Sequence, residues 1–241
     1  MADLSRYQNK RIAIYGMGLT GCSAAKTLKK LKANIFCWDD DAKVRKKIKN
    51  LHLPTNKFWL SKKSFDNILI SPGIDASNCK ISSFLIENFN KIITDLDLFF
   101  DLNKDKLIIS ITGTNGKSTT CKIIEEILKN AKYRVKTVGN IGNPILPFYK
   151  KKYVFILEVS SYQLQYSKLF HSRHAAILNI SPDHLERHKN MRNYIKIKSR
   201  IFFAQNNNDY SYINLNNKYS KSLINIIKQK KIKSKLVKIK N

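Results

Sequence analysis

The run Thr112-Gly113-Thr114-Asn115-Gly116-Lys117-Ser118-Thr119 gathers the residue types that can hold a triphosphate. Its glycines let backbone N–H groups turn toward phosphate oxygens, Lys117 adds a point charge, and the hydroxyl of Ser118 or Thr119 can reach Mg2+. The spacing is shorter than the common G-x-x-x-x-G-K-[ST] loop, because Ile111 stands where the first glycine would be. An ordinary Gly-rich turn is the alternative. The apolar run 108–111 before the loop and the helical stretch 118–132 after it favour the phosphate reading, since they place the loop between a strand and the positive end of a helix.

Three further groups could share that chemistry. Glu158 ends the otherwise apolar run 153–159, where a carboxylate is costly unless it is paired or binds a metal. His184 follows the apolar run 175–180, with His188 four residues on; either histidine could be a plain surface residue. Two strand-end loops carrying Glu158 and His184 nevertheless suggest a shared metal site. Lys198 falls in the helical stretch 191–204 and, taken alone, is one lysine among many.

Strands and helices must hold these groups in place. Arg11-Ile12-Ala13-Ile14-Tyr15 reads as a strand, and Gly16-Met17-Gly18-Leu19-Thr20-Gly21 as a G-x-G-x-x-G turn opening a helix that runs to about residue 31. The strand 34–38 ends in Asp39-Asp40-Asp41, at the distance from the glycines where a ribose-binding acid sits; by default such a unit holds NAD. After the strand 67–70, Ser71-Pro72-Gly73-Ile74 is another strand-end loop or a simple turn. A boundary near 91–94 gives two domains: a Rossmann-like parallel-sheet domain over 1–93, and a P-loop ATPase-type α/β domain over 94–241. The second contains strands at 134–138, 153–159 and 175–180, the turn Gly139-Asn140-Ile141-Gly142-Asn143-Pro144, and a Lys-rich tail read as a solvated helix followed by the strand 235–239.

Composition narrows the class. With 241 residues and 43% apolar content the chain can bury a substantial core. No apolar run approaches a membrane span and the first residues have no signal-peptide core, so a cytoplasmic protein is expected. Cys22, Cys37, Cys79 and Cys121 are widely spaced, which favours buried free thiols over a zinc site or disulfides. The net charge of +28 comes from lysines scattered with Asn and Ile, as an A/T-rich codon bias would give, and no aromatic stacking platform accompanies them. Neither nucleic acid nor a membrane is expected as a partner.

The ordered segments G-M-G-L-T-G, I-S-P-G-I, I-T-G-T-N-G-K-S-T-T, G-N-I-G-N-P, L-E-V-S-S-Y-Q-L and N-I-S-P-D-H-L-E-R-H resemble the Mur ligase family of peptidoglycan synthesis, and within it the branch that adds D-glutamate. The resemblance implies an ATP- and Mg2+-dependent amide ligase, acting through an acyl phosphate on UDP-N-acetylmuramoyl-L-alanine and D-glutamate, with two Mg2+ sites. It reassigns the first glycine turn from NAD to the UDP of the substrate. Carried over, Leu19, Thr20, Asp39, Ser71, Pro72 and Gly73 would contact the uridine diphosphate, and Asn140, Ser160 and Gln163 the muramoyl-alanine end. Gly113, Thr114, Asn115, Gly116, Lys117, Ser118 and Thr119 would form the ATP loop. Ser118, Glu158, His184 and Lys198 would serve the metal ions, with Lys198 as a carbamate, and Lys117, His184 and Lys198 are the catalytic set. The chain departs from the pattern at Asp39-Asp40-Asp41, where some members follow the acidic pair with Arg.

Family members run to three domains. The chain is therefore expected to carry the first domain and part of the central one, to lack the C-terminal D-glutamate-binding domain unless a separate chain supplies it, and to turn over little alone. A UDP-sugar- or ATP-binding remnant without catalysis, another member of the family, and a basic nucleic-acid-associated protein are the alternatives.

Overall fold

At Gly16 the first strand stops being a strand. β1 (Arg11–Tyr15) runs into this residue at φ +88°, a conformation glycine adopts at little cost. A Cβ on Gly16 would lie 2.9 Å from Ile74 Cγ1, and one on Gly21 only 2.0 Å from the Gly16 carbonyl oxygen. The helix α1 (Leu19–Lys30) thus rests directly on the turn, as the glycine spacing requires.

The computed structural model describes residues 4–62, 64–139, 144–149 and 152–240. β2 (Asn34–Trp38), α2 (Ala42–Asn50), β3 (Asn67–Ile70), α3 (Ser82–Glu87) and β4 (Ile92–Ile93) complete a four-stranded sheet of order β2-β1-β3-β4. α4 (Asp95–Leu102) leads into β5 (Ile108–Thr112), α5 (Lys117–Asn130), β6 (Val135–Val138), β7 (Val154–Glu158) and α6 (Ser161–Tyr166). Then come β8 (His174–Ile177), α7 (Leu185–His188), α8 (Met191–Ser199), β9 (Tyr210–Asn214), α9 (Ser220–Gln229) and β10 (Lys235–Ile239). The second sheet has the order β10-β9-β8-β5-β7-β6, and strand pairs in both sheets are parallel. This is the two-sheet parallel α/β class expected from the sequence.

Register decides where the loops emerge. Ile111 lies opposite Glu158 and Thr112 opposite Ile177, so the segments after β5, β7 and β8 leave the sheet at one level. Ligands collect at such carboxyl ends of parallel strands. The expected strand 175–180 stops at Ile177, because Leu178 N still bonds Thr112 O but Asn179 turns to grip the loop after β5. The helix expected over 191–204 ends at Ser199 and continues as a 3-10 turn, Arg200–Phe202.

One apolar cluster runs through both halves, from Ile12, Ile14 and Leu28 through Leu96 and Phe99 to Phe155 and Phe202. α4 supplies the middle of it and starts with a capping box in which Thr94 and Asp97 satisfy each other's backbone N–H. Cys37 and Cys121 are buried, with burial pushing both thiols up to about 12; Cys22 and Cys79 are half-buried, and all four are free. The tail behaves as expected, since α9 buries Leu223 and Ile227 and β10 pairs with β9. Among the described residues no helix is long and apolar enough to cross a membrane.

Asp95, in the first turn of α4, is 3% exposed and its Oδ1 has no hydrogen-bond partner. Burial pushes its carboxyl up to about 6, against a hydrogen bond from Gln163 that lowers it, and the charge of Asp97 adds to the rise. Below the ordinary carboxylate range the group is protonated in both states and costs nothing. As pH climbs from about 4 through 6 the unfolded chain ionises more readily, so stability falls. Asp95→Asn is expected to gain on the order of 2–3 kcal/mol at pH 8 and almost nothing at pH 4, measured as urea midpoints. An equal gain at both pH values would sink this account.

Candidate nucleotide site at the strand ends

Gly116, at φ +80°, closes the loop after β5 and opens α5, so the first N–H groups of the helix face the loop's concave side. The loop is braced from the segment after β8. Thr114 N donates to Asn179 O at 3.1 Å and Asn115 N to Asn179 Oδ1 at 2.9 Å, while Asn179 Nδ2 returns a bond to Asn115 O at 3.0 Å. Ser181 N donates to Thr114 Oγ1 at 3.0 Å, and the Tyr194 hydroxyl lies 3.3 Å from the same oxygen. Three of these contacts hold the loop's backbone and two its Thr114 hydroxyl.

Two ammonium groups converge on the same carbonyl. Lys117 Nζ donates to Gly113 O at 3.1 Å and to Thr114 O at 2.9 Å; Lys198 Nζ reaches Gly113 O at 2.9 Å from α8. Lys198 is 2% exposed and its ammonium sits 4.8 Å from the centroid of the Tyr194 ring. Burial brings its amine down to about 7; the nearby charge of Lys117 acts in the same direction and Asp183 opposes it.

Ser118 Oγ donates to Glu158 Oε2 at 2.8 Å, which joins the loop to the end of β7. Glu158 is 7% exposed, whereas Thr119 is exposed on α5. Glycine is again required behind it: Gly139 has φ +97° and a Cβ there would lie 2.7 Å from Glu158 O. His184, at φ 52°, turns its ring toward Asp183 at 3.4 Å, Glu186 at 3.7 Å and the face of Tyr162. Among the described residues no group of three or more His, Cys, Asp or Glu is gathered as a metal centre. His188 is not a surface residue: it is 2% exposed, bonded through Nε2 to Ser161 Oγ at 2.9 Å, and stacked on Tyr194. Burial holds its imidazole neutral, down to about 4, with Arg187 adding to the effect.

Around the first sheet, Asp39 binds the glycine turn, accepting from Met17 N at 2.6 Å and Asp41 N at 2.9 Å. Leu19 is exposed at the start of α1 and Thr20 half-buried beside it. Ser71 is buried with its Oγ on Gly16 O at 2.6 Å, and Pro72 and the exposed Gly73 continue the loop. Arg45 lies outside the sequence expectation: from α2 it donates to the carbonyls of Asp39 and Asp40 at 2.8 and 2.9 Å and covers the Trp38 ring. Ser160 and Gln163 form the capping box of α6, with Gln163 Oε1 accepting from Ser160 N at 3.0 Å. Asn140 lies outside the described residues. Asn179, Ser181, Tyr194, Arg45 and Arg187 are the positions that sequence reasoning missed. Only the proximity of Asn179, Ser181 and Arg187 to His184, within the segment N-I-S-P-D-H-L-E-R-H, could have pointed to any of them.

A Rossmann-like sheet followed by a parallel sheet whose central strand ends in a lysine-bearing, glycine-opened loop defines a P-loop-type α/β protein. The chain belongs to the Mur ligase family: the profile of the Mur ligase middle domain matches residues 111–241. It is 38% identical over 231 residues to the UDP-N-acetylmuramoylalanine--D-glutamate ligase of Rickettsia bellii, a match covering 93% of this chain and 50% of the relative. The ligase of the same name from Caldicellulosiruptor saccharolyticus is 34% identical over 233 residues, covering 91% and 51%. The chain thus spans about half the length of the curated relatives it matches. Among solved structures it is similar in fold to the UDP-N-acetylmuramate:L-alanyl-gamma-D-glutamyl-meso-diaminopimelate ligase of Neisseria meningitides, with a TM-score of 0.58 at 14% identity over 95% of this chain and 77% of that one.

Proposed function

We propose that residues 1–93 bind a UDP-linked substrate and residues 94–241 bind the phosphates of ATP, as parts of a cytoplasmic ADP-forming ligase that joins D-glutamate to UDP-N-acetylmuramoyl-L-alanine. The carrying observation is the braced loop of residues 113–119 with its Ser118 hydroxyl on the buried carboxylate of Glu158. The names of the relatives support the choice of substrate. D-glutamate recognition is assigned to the half of their length that this chain does not match.

In this reading the backbone N–H groups of Gly113, Gly116, Ser118 and Thr119 hold the β- and γ-phosphates, Thr114 and Asn115 keep the loop braced on Asn179 while shaping its ATP-facing side, and Lys117 exchanges its two carbonyl acceptors for phosphate oxygens. Leu19, Thr20, Asp39, Ser71, Pro72 and Gly73 hold the uridine diphosphate, while Asn140, Ser160 and Gln163 steady the muramoyl-alanine end. The alanyl carboxylate attacks the γ-phosphorus and ADP leaves. The amine of D-glutamate then attacks the acyl phosphate, loses a proton and displaces phosphate. Positioning and charge neutralisation carry the first step.

Ser118 Oγ and Glu158 Oε2 are hard oxygens side by side at the loop, a donor set that fits Mg2+ completed by phosphate oxygens and water. Bound there, the ion would neutralise charge on the phosphoryl group in transfer. His184 and Lys198 would serve a second ion. Lys198 can do so only as a carbamate: its neutral amine, abundant once its affinity for protons falls to about 7, adds to CO2 and gives up a proton, leaving an anionic oxygen ligand. Lys117→Ala is expected to weaken ATPγS binding in Mg2+ buffer by about tenfold or more in calorimetry, the worth of one charge-assisted bond. No ATPγS binding by the unaltered chain, or equal binding by the variant, would sink the reading.

A further inference from the structure

Arg187 ties the two sheets together at the level of both candidate sites. It stands in α7, three residues after His184, with a side chain only 9% exposed. Its Nε donates to Gln165 Oε1 at 2.8 Å, its Nη1 to Gly73 O at 3.4 Å and its Nη2 to Ile74 O, and Asp75 lies 4.0 Å away. Beside it, Ala76 N donates to the Tyr166 hydroxyl at 3.0 Å, and that hydroxyl donates to Asp75 at 3.3 Å. Gly73 and Ile74 belong to the same loop as Ser71, whose Oγ holds Gly16 O, and the Ile74 side chain presses on the space where a Gly16 side chain would be. A continuous set of contacts therefore joins the His184 turn to the glycine turn that opens α1.

We propose that Arg187 is a positioning residue that couples the two sites, so that a nucleoside diphosphate at the Gly16–Thr20 turn and a nucleoside triphosphate at the Gly113–Thr119 loop each bind more tightly when the other is present. The inference rests on the reading of those two sites given above. A planar guanidinium with three acceptors and a carboxylate neighbour holds the Gly73–Ile74 backbone at a fixed place relative to α7, and a flexible ammonium would not. Each ligand orders one side of this clasp, so the second ligand meets a site whose ordering cost is already met. The coupling must be reciprocal because it is an equilibrium property.

The test is calorimetry on the full 241-residue chain with UDP and with ATPγS in Mg2+ buffer, each titrated alone and at saturation of the other. The expected result is a gain of about fivefold or more, the same factor in both directions. Arg187→Ala and Arg187→Lys are expected to reduce the factor to about one, with both ligands still binding. Tyr166→Phe removes only the second strap and is expected to lower the factor partway, which keeps the proposal testable should Arg187→Ala fail to fold. Binding of both ligands without coupling in the unaltered chain overturns the proposal and leaves the site assignment standing. Coupling that survives in the Arg187 and Tyr166 variants overturns the role given to this clasp. Absence of binding by either ligand alone overturns the site reading and the proposal with it.

Discussion

Asp97→Ala is expected to cost about 3–5 kcal/mol of stability, read as a drop in the urea midpoint at unchanged slope. Asp97 is 2% exposed and fully engaged. Its Oδ1 accepts from Ser167 Oγ at 2.8 Å and from the backbone N–H groups of Lys168, Leu169 and Phe170 at 2.9, 2.7 and 3.0 Å; its Oδ2 accepts from Thr94 N and Oγ1 at 2.9 and 3.0 Å. Alanine would strand the buried donors from Thr94, Ser167 and Phe170 at a desolvation cost of about 1–3 kcal/mol each, and the part-buried N–H groups of Lys168 and Leu169 would lose less. The Arg200 guanidinium, half-buried beside it and held on Ser167 O, would lose its counter-charge. Asp97→Asn should cost less but not little, because its amide can keep the four donors at one oxygen only by pointing an NH2 at Thr94 N–H. A loss below about 1 kcal/mol for the alanine variant would show that the segment 167–170 does not depend on this carboxylate.

Lys198→Met is expected to stabilise the metal-free, CO2-free chain at low pH, by an amount on the order of 4 kcal/mol at pH 6. Below about 7 the lysine is an ammonium in both states, and the full cost of its burial next to Lys117 is present. Above 7 the folded chain sheds the proton while the unfolded chain holds it up to the ordinary lysine range, so the unfolded state binds more protons and the stability of the unaltered chain rises with pH. The advantage of methionine should therefore shrink steadily between pH 7 and 10. Chemical denaturation of both chains across that range is the measurement. A difference that stays constant would mean that burial does not lower the proton affinity of Lys198, which then stays charged in the folded chain across the range. Added bicarbonate should narrow the gap near neutral pH if the amine forms a carbamate, visible directly as a new carbonyl resonance with 13C-labelled bicarbonate.

The parts legible in the sequence were those whose determinants are local. Gly16, Gly21 and Gly116 could be placed because a backbone turn and a close helix approach demand glycine at those spacings. Glu158 stood out because a carboxylate ending an apolar strand needs a partner, and Ser118 supplies it. The braces were not legible. Asn179 and Tyr194 act on residues 64 and 80 positions away; Asn179 opens the segment N-I-S-P-D-H-L-E-R-H but nothing local shows that it grips the loop, and nothing in the local pattern distinguishes Tyr194 from its neighbours. Nothing in the sequence singles out Asp97: its capping-box bond is local to α4, and its second set of acceptor bonds depends on how residues 167–170 fold back against that helix. The sequence leaves open whether His188 is a surface histidine, because burial of a polar ring depends on Ser161 and Tyr194, both contributed by other helices.

The placing of β5 at the middle of its sheet has a consequence in time. Its two neighbours, β7 and β8, and the residues that brace its loop are all made later, the last of them, Lys198, 85 positions after Gly113. At a synthesis rate of about 5–20 residues per second, roughly 4–17 s pass between the appearance of the loop and the appearance of its final support. During that interval the emerging polypeptide has a glycine-rich turn and a lysine but no sheet to mount them on, whereas the four strands of the first sheet are already complete. The order of translation therefore separates the two halves: the first can settle while the ribosome is still extending the chain, and the second takes shape only once its last helices have left the tunnel.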